Sequence, residues 1–318
     1  MASLYLARDP MIDRLVAIKV LREGFDEELR ERFAREARSA GRLRHVNIVT
    51  IFDVGEHEGE PFIAMEYVSG ETLGQVIRRN APLGIPRKLE LLEALCAGLG
   101  YAHQAGIVHR DIKPANIMVD TEGVLKILDF GIARVGDSSM TQAGMLVGTL
   151  NYMSPEQVAG QPVDLRSDIF AVGAVCYELL SCKQAFPGNL QTGILHRILH
   201  GEPAPLEGLD PVEGDLARIV GRALEKNPAD RYQDLGAMRR DLAKVRHLLP
   251  QEAPANDQDT ATMAIMPAAP VTPRSTRRAT DVEDLERRRA RQIETHVAAA
   301  RDAERAGDDA PPSSVTCA

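Results

Sequence analysis

The residues best suited to chemistry crowd into positions 109–131, which read HRDIKPANIMVDTEGVLKILDFG. Two apolar runs of strand length, Ile117-Met118-Val119 and Val124-Leu125-Lys126-Ile127-Leu128, flank the turn-forming tetrapeptide Asp120-Thr121-Glu122-Gly123. The pattern predicts an antiparallel hairpin, which returns the chain to its starting end. Asn116, just before the first strand, then lies beside Asp129, just after the second. Two oxygen-bearing side chains at the open end of a hairpin can share a hard divalent cation such as Mg2+, whose remaining ligands are waters and substrate phosphates. Asp111 and Lys113 lie on the loop that feeds the same end.

Elements able to position that loop are legible on both sides of it. Residues 4–8, 16–21, 51–55 and 62–67 read as strands, and residues 27–43 as a charged helix with Leu29, Phe33, Ala37 and Ala40 at near-helical spacing. From residue 71 onward the pattern is mostly helical, over 71–79, 86–105, 165–181, 190–200, 213–225 and 234–247. A small strand-rich part followed by a larger helical part is an α+β arrangement.

Composition narrows the classes. The 318 residues allow one large or two modest domains, and 44% apolar with 26% charged residues is ordinary for a globular protein. A net charge of -8 with interleaved signs, no Trp and few aromatics argue against a nucleic-acid-binding face. The four cysteines form no CxxC pair, and Cys96 and Cys176 fall in apolar helical patterns, which reads as buried free thiols in a reducing compartment. No signal-peptide pattern opens the sequence, and no run approaches the ~20 apolar residues of a membrane span. The longest, residues 169–180, is interrupted by Glu178 and reads as a core helix. The expectation is a cytoplasmic protein, with no membrane anchor in this chain.

The HRD triplet, the KPxxN spacing and DFG, in that order, resemble the catalytic and metal-binding loops of bacterial Hanks-type (eukaryotic-like) Ser/Thr protein kinases. The resemblance implies a bilobal α+β kinase domain over 1–247, with a small lobe over 1–66, a hinge over 66–70 and a large lobe over 71–247. It implies that Asp111 is the catalytic base, that Lys113 contacts the transferring phosphate, and that Asn116 and Asp129 hold Mg2+ or Mn2+. Lys19, in Val16-Ala17-Ile18-Lys19, matches the lysine that contacts the ATP phosphates, and Glu36 matches its ion-pair partner. Leu4, Ala17 and Met118 match positions that sandwich adenine, and Met65 the residue at the rear of that pocket. The segment Met65-Glu66-Tyr67-Val68 matches the hinge, so Glu66 and Val68 join the nucleotide set.

The resemblance also reaches regulation. Arg110 has no evident partner nearby in sequence, and a phosphate on the following loop would supply one through bidentate hydrogen bonds. Thr141 matches the first of two threonines commonly phosphorylated in similar kinases, while Ala143 stands at the second. Thr149 matches the threonine that bonds Asp111 and Lys113 and favours a Ser/Thr acceptor. Glu156 is expected to pair with Arg231, and Asp168 to cap the catalytic loop from the long core helix. The activity so implied is transfer of the ATP γ-phosphate to Ser/Thr hydroxyls of protein substrates, with autophosphorylation, in bacterial signalling.

The sequence departs from the family at its start. Such kinases open with a strand and a G-x-G-x-x-G-x-V loop over the phosphates. Here Ala2 falls on the third glycine and Leu4 on the valine, which leaves an N-terminally truncated small lobe whose residues 4–8 form an exposed edge. Either Met1 is an internal methionine of a longer chain, or the product is a nucleotide-impaired pseudokinase serving as a signalling scaffold. The intact metal and proton-transfer residues favour the first.

Beyond the kinase-like part the composition shifts. Residues 248–279 read as a disordered linker, 280–307 as a charged helix and 308–318 as a disordered end. The helix begins with a capping box, Thr280-Asp281-Val282-Glu283, and carries i,i+4 pairs Glu283/Arg287 and Asp284/Arg288. Its apolar stripe is thin, so it is expected to be solvated rather than docked. Thr260, Thr262, Thr272, Thr276 and Thr280 crowd this segment, and Thr262 with Ile265 resembles ligands of phosphothreonine-binding forkhead-associated modules. The competing reading is that threonine is simply frequent in linkers.

Overall fold

Alternation of apolar and polar residues builds the first layer. In this computed structural model, which describes residues 2–9, 12–21, 33–34, 37–57, 59–130, 147–188 and 191–249, β1 (Ala2–Asp9) pairs antiparallel with β2 (Arg14–Leu21). With β3 (Ile51–His57) and β4 (Glu60–Glu66) they form a sheet of order β1-β2-β4-β3. The register sets Leu4 opposite Lys19 and Leu6 opposite Ala17, and on the next strand Lys19 opposite Ile63 and Ala17 opposite Met65. Directly opposed residues point to the same side, so all six share one face. Part of that face is closed by a cluster of Phe33, Ala37, Val49, Ile63 and Met65. The opposite face buries Val16, Ile18, Val20, Phe62 and Ala64. Among the described residues β1 is an edge, with Leu4 and Leu6 64% and 57% exposed.

Beyond residues 67–69 the chain enters a helical lobe. It comprises β5 (Gly70–Thr72), α1 (Leu73–Arg78), α2 (Ile85–Gln104), β6 (Ile117–Asp120), β7 (Leu125–Ile127), α3 (Pro155–Val158), α4 (Leu165–Ser181), α5 (Gln191–His200), α6 (Glu213–Ala223) and α7 (Leu235–Leu248). α4 is apolar on nearly every side, buries Ile169, Phe170, Val172, Val175 and Cys176, and forms the axis of the main core. No helix among the described residues is long and apolar enough to cross a membrane.

Three expectations from sequence need correction. The segment from residue 71 does not begin as helix: Glu71 and Thr72 pair with Val119 and Met118 as a strand, and helix α1 starts at Leu73. Thr72 ends the strand by capping the helix, its hydroxyl accepting from Gln75 N while Gln75 Oε1 accepts from Thr72 N. Gly70 permits the pairing, since a Cβ there would sit 2.1 Å from the Val119 carbonyl oxygen. The charged helix expected over 27–43 ends by Ala40, where Gly41 N donates to Ala37 O and Leu43 N to Ala40 O in a closing turn. The folded part also runs past residue 247, because α7 continues to Leu248 and Leu249 is buried. The linker, charged helix and end expected beyond residue 250 lie outside the described residues, as does most of the loop after Phe130.

Candidate active site

The hairpin β6–β7 forms with Ile117 opposite Ile127, Met118 opposite Lys126 and Val119 opposite Leu125. Asp120 closes its turn, Oδ1 accepting from Glu122 N and Val124 N, while Gly123 takes the left-handed conformation the turn demands. At the open end Leu128 N donates to Asn116 O at 2.9 Å, which fixes Asn116 against the chain that leads to Asp129. Pro114–Asn116 form a single 3-10 turn that lifts Asn116 into place.

Asp111 is the hub. Its Oδ2 accepts from Asn116 Nδ2 at 2.9 Å and lies 3.0 Å from Lys113 Nζ. Its backbone carbonyl accepts from the same Asn116 amide at 2.8 Å. His109 orients the loop from below: Nδ1 accepts from Asp111 N, and Nε2 donates to Leu128 O at 2.8 Å, which selects the neutral Nε2–H tautomer. The His109 ring packs on Phe130, with centroids 4.8 Å apart.

Asp168, buried on α4, braces the loop further. Its Oδ2 accepts from His109 N and its Oδ1 from Arg110 N, both at 2.7 Å, and His103 Nε2 lies 2.8 Å from Oδ2. These two amides hold Arg110 at φ +66, a conformation uncommon for a residue with a side chain. Gln157 Nε2 donates to Arg110 O at 2.9 Å, so the loop is gripped from α3 as well. Asp129 also has a positive φ, +51. Two left-handed non-glycine residues flanking the site are backbone strain concentrated where side chains must be aimed.

Lys19 crosses from the small sheet to reach Asp129, with Nζ 2.8 Å from Oδ1. Its expected partner Glu36 lies outside the described residues, as does Thr141. Thr149 falls within the 3-10 helix Val147–Tyr152. Ala17 and Met65 share the Lys19 face of the sheet, and Met118 stands across the junction on β6. Glu66 ends β4, and Val68 lies in the three-residue link to β5. Leu4 shares the Lys19 face but is largely exposed among the described residues.

Glu156 and Arg231 form a buried bidentate pair at 2.8 Å for both contacts, with Ser167 Oγ donating to Glu156 Oε1 at 2.5 Å. Burial alone would raise the Glu156 carboxyl, but the Arg231 and Ser167 hydrogen bonds hold it below the ordinary range.

Four contacts at the site had no marker in the sequence: the Gln157 grip on Arg110, the His103–Asp168 contact, a Glu66–Lys126 ion pair, and the Asn47 amide donating to Leu125 O at 2.9 Å. Each joins residues far apart in the chain, and only the KPxxN-type motifs advertise their partners locally.

The donor set fits a hard cation. Asn116 and Asp129 offer oxygens only, and no cluster of three or more His, Cys, Asp or Glu suited to metal occurs among the described residues. Two protein oxygens, with phosphates and waters completing the shell, is how Mg2+ is usually held.

A small antiparallel sheet above a helical lobe, with a lysine, two aspartates and an asparagine gathered at their junction, is the protein kinase architecture. Residues 1–241 match the family described as protein kinase domain, and the chain belongs to that family. It is 39% identical over 279 residues to the serine/threonine-protein kinase PknB of Mycobacterium tuberculosis, covering 85% of this chain and 45% of that protein. It is 41% identical over 263 residues to PknB of Mycobacterium leprae, covering 80% and 42%. A probable PknB of Corynebacterium glutamicum is 39% identical over 297 residues, covering 89% and 45%. The chain thus spans less than half the length of these relatives.

Proposed function

We propose that this chain is a Ser/Thr protein kinase that transfers the γ-phosphate of ATP to protein hydroxyls, itself included. The observation that carries the reading is the convergence of Lys113 and Asn116 on one Asp111 carboxylate, with the Lys19–Asp129 pair at the same junction. Asp111 accepts the proton of the acceptor hydroxyl. The Asn116 amide fixes the Asp111 rotamer, and Lys113 places a positive charge beside it, suited to the transferring phosphate. Lys19 meets the phosphates of ATP. Ala17, Met65 and Met118, with Leu4, enclose the adenine, and the backbone of Glu66 and Val68 reads its edge. Mg2+ or Mn2+ bound by Asn116 and Asp129 supplies charge neutralisation to the phosphates.

Regulation and location follow from the same reading. Phosphorylation of Thr141 presents a phosphate to the Arg110 guanidinium for bidentate hydrogen bonds and so favours protein substrates, and Thr149 selects Ser/Thr acceptors. ATP as donor places the reaction in the cytoplasm. The threonines of residues 260–280 are tethered substrates, and once phosphorylated they are ligands for phosphothreonine-binding modules. The test is Mg2+-dependent phosphate transfer by the purified chain to itself and to a basic acceptor protein, beside an Asp111→Asn control. Transfer no faster than the control defeats the proposal. Full activity in Thr141→Ala removes the regulatory part alone.

A further inference from the structure

Glu66 is tied down more firmly than a residue at a strand end needs to be. Its backbone N–H donates to Thr50 O at 2.8 Å, and its carboxylate Oε2 accepts from Thr50 N at 3.1 Å. The other carboxylate oxygen, Oε1, lies 2.7 Å from Lys126 Nζ, with the two side chains only 27% and 14% exposed. Lys126 belongs to β7 of the helical lobe, while Glu66 closes β4 of the small sheet, so the pair spans the two lobes directly behind the 67–69 link.

The strand that carries Lys126 is itself fixed. Ile127 N donates to Asn47 O, Val49 N donates to Ile127 O, and Asn47 Nδ2 donates to Leu125 O. Lys126 stands opposite Met118 in the hairpin register, so the two share a face. One lysine therefore connects the hinge carboxylate to the strand that supplies the floor of the proposed base pocket. A partly desolvated, charge-assisted contact of this length resists rotation of the residues it joins far more than an exposed ion pair does.

We infer that Glu66 and Lys126 form an interlobe latch, a pair of positioning residues that fixes the hinge backbone and the Met118 floor for the adenine end of the nucleotide. The inference rests on the kinase reading above and deepens it. The latch acts on binding of the base rather than on proton transfer: the contacts of the pair run to Thr50 and to each other, whereas those of Asp111 run to Lys113, Asn116 and His109.

Calorimetric titration of the purified chain with adenosine and, separately, with ADP and Mg2+ tests it. Lys126→Met should weaken both ligands by the same factor, at least about fivefold, the lower end of ordinary coupling between sites. In turnover the loss should fall on KM for ATP and leave kcat little changed. Glu66→Gln keeps an acceptor for Thr50 N and removes only the charge, so it should lose the same factor. The double variant should lose no more than either single one. Lys126→Arg, which keeps a cation in reach, should restore binding. Unchanged adenosine affinity in Lys126→Met, a loss confined to the Mg2+–ADP complex, or additive losses in the double variant each overturn the latch. If the parent chain binds neither ligand, the kinase reading falls and the latch with it, whereas a binding parent with insensitive variants removes the latch alone.

Discussion

Replacing Arg231 by methionine should be among the most damaging single changes in the helical lobe. Arg231 is 1% exposed and donates to both oxygens of Glu156, itself 5% exposed, and to the backbone carbonyls of Arg166, Glu225 and Lys226. Methionine fills similar volume but leaves a buried carboxylate with Ser167 as its remaining side-chain donor and strips three carbonyls of a partner. Breaking a buried ion pair by removing one member costs roughly 3–5 kcal/mol. For a domain of this size that is a fall of about 10 °C in melting temperature. The sign of the pH dependence is fixed by Glu156, whose folded carboxyl titrates below its ordinary 4.5. A depressed carboxyl contributes stability that is present above its unfolded value and lost as pH falls through its folded one. Wild type should therefore lose its advantage over Arg231→Met as pH falls, first where the variant's stranded and desolvated carboxyl is protonated above its ordinary value, then as the wild-type carboxyl is protonated below it. Adding Glu156→Gln to Arg231→Met should recover part of the loss at neutral pH by removing the stranded charge. Chemical unfolding from pH 8 to pH 4 measures all of this. A loss under about 1 kcal/mol at pH 7.5, or a gap that does not narrow with acid, refutes the argument.

Other outcomes are as specific. Asp111→Asn should cut phosphate transfer by about 10²–10⁴ while Mg2+–ADP binding persists, as paired activity and calorimetric measurements would show. Glu178, half-buried on α4, accepts from Tyr152 OH at 2.5 Å, and desolvation outweighs that hydrogen bond and raises its carboxyl above the usual value. A raised carboxyl costs stability as pH climbs from about 4.5, so Glu178→Gln should stabilise the protein at pH 8 and converge with wild type near pH 4 in denaturant midpoints. Gly98 on α2 is tight: an added Cβ would lie 2.7 Å from Ile127 Cδ1 and 3.1 Å from Asn47 O. Gly98→Ala gains about 1 kcal/mol of helix propensity but overpacks by about 1–3 kcal/mol, so thermal unfolding should show a net loss.

Residues 109–131 were informative in sequence because their chemistry and their spacing are contiguous, so one hairpin suffices to bring Asn116 beside Asp129. The long helices were legible for a different reason, since α4 is apolar all round and α6 and α7 keep a helical period. β5 was not legible. It is three residues long, and its existence depends on a partner strand that begins only at Ile117. Neither was the bracing by Gln157 and Lys126, which reach partners 47 and 60 positions away, and the Asp168 cap was expected only from the family resemblance. Charge and polarity make such residues look like solvated surface until the tertiary structure supplies what they bind. The identity of the catalytic-type residues is thus a local property, and their aim is a global one.

The Asn47 seam has a consequence for synthesis. Its side chain is satisfied by a carbonyl 78 positions later, and the strand edge beside it, at Val49, pairs with Ile127. At roughly 5–20 residues per second, a nascent small lobe waits about 4–16 s for those partners to be polymerised. During that interval β3 and β4 can close on each other, but the turn that joins them to the rest of the molecule has unmet amides and a bare apolar flank at Ile48. During its own translation the first third of the polypeptide therefore exposes the kind of surface that holdase chaperones bind, and slow codons placed just before the hairpin would lengthen that exposure.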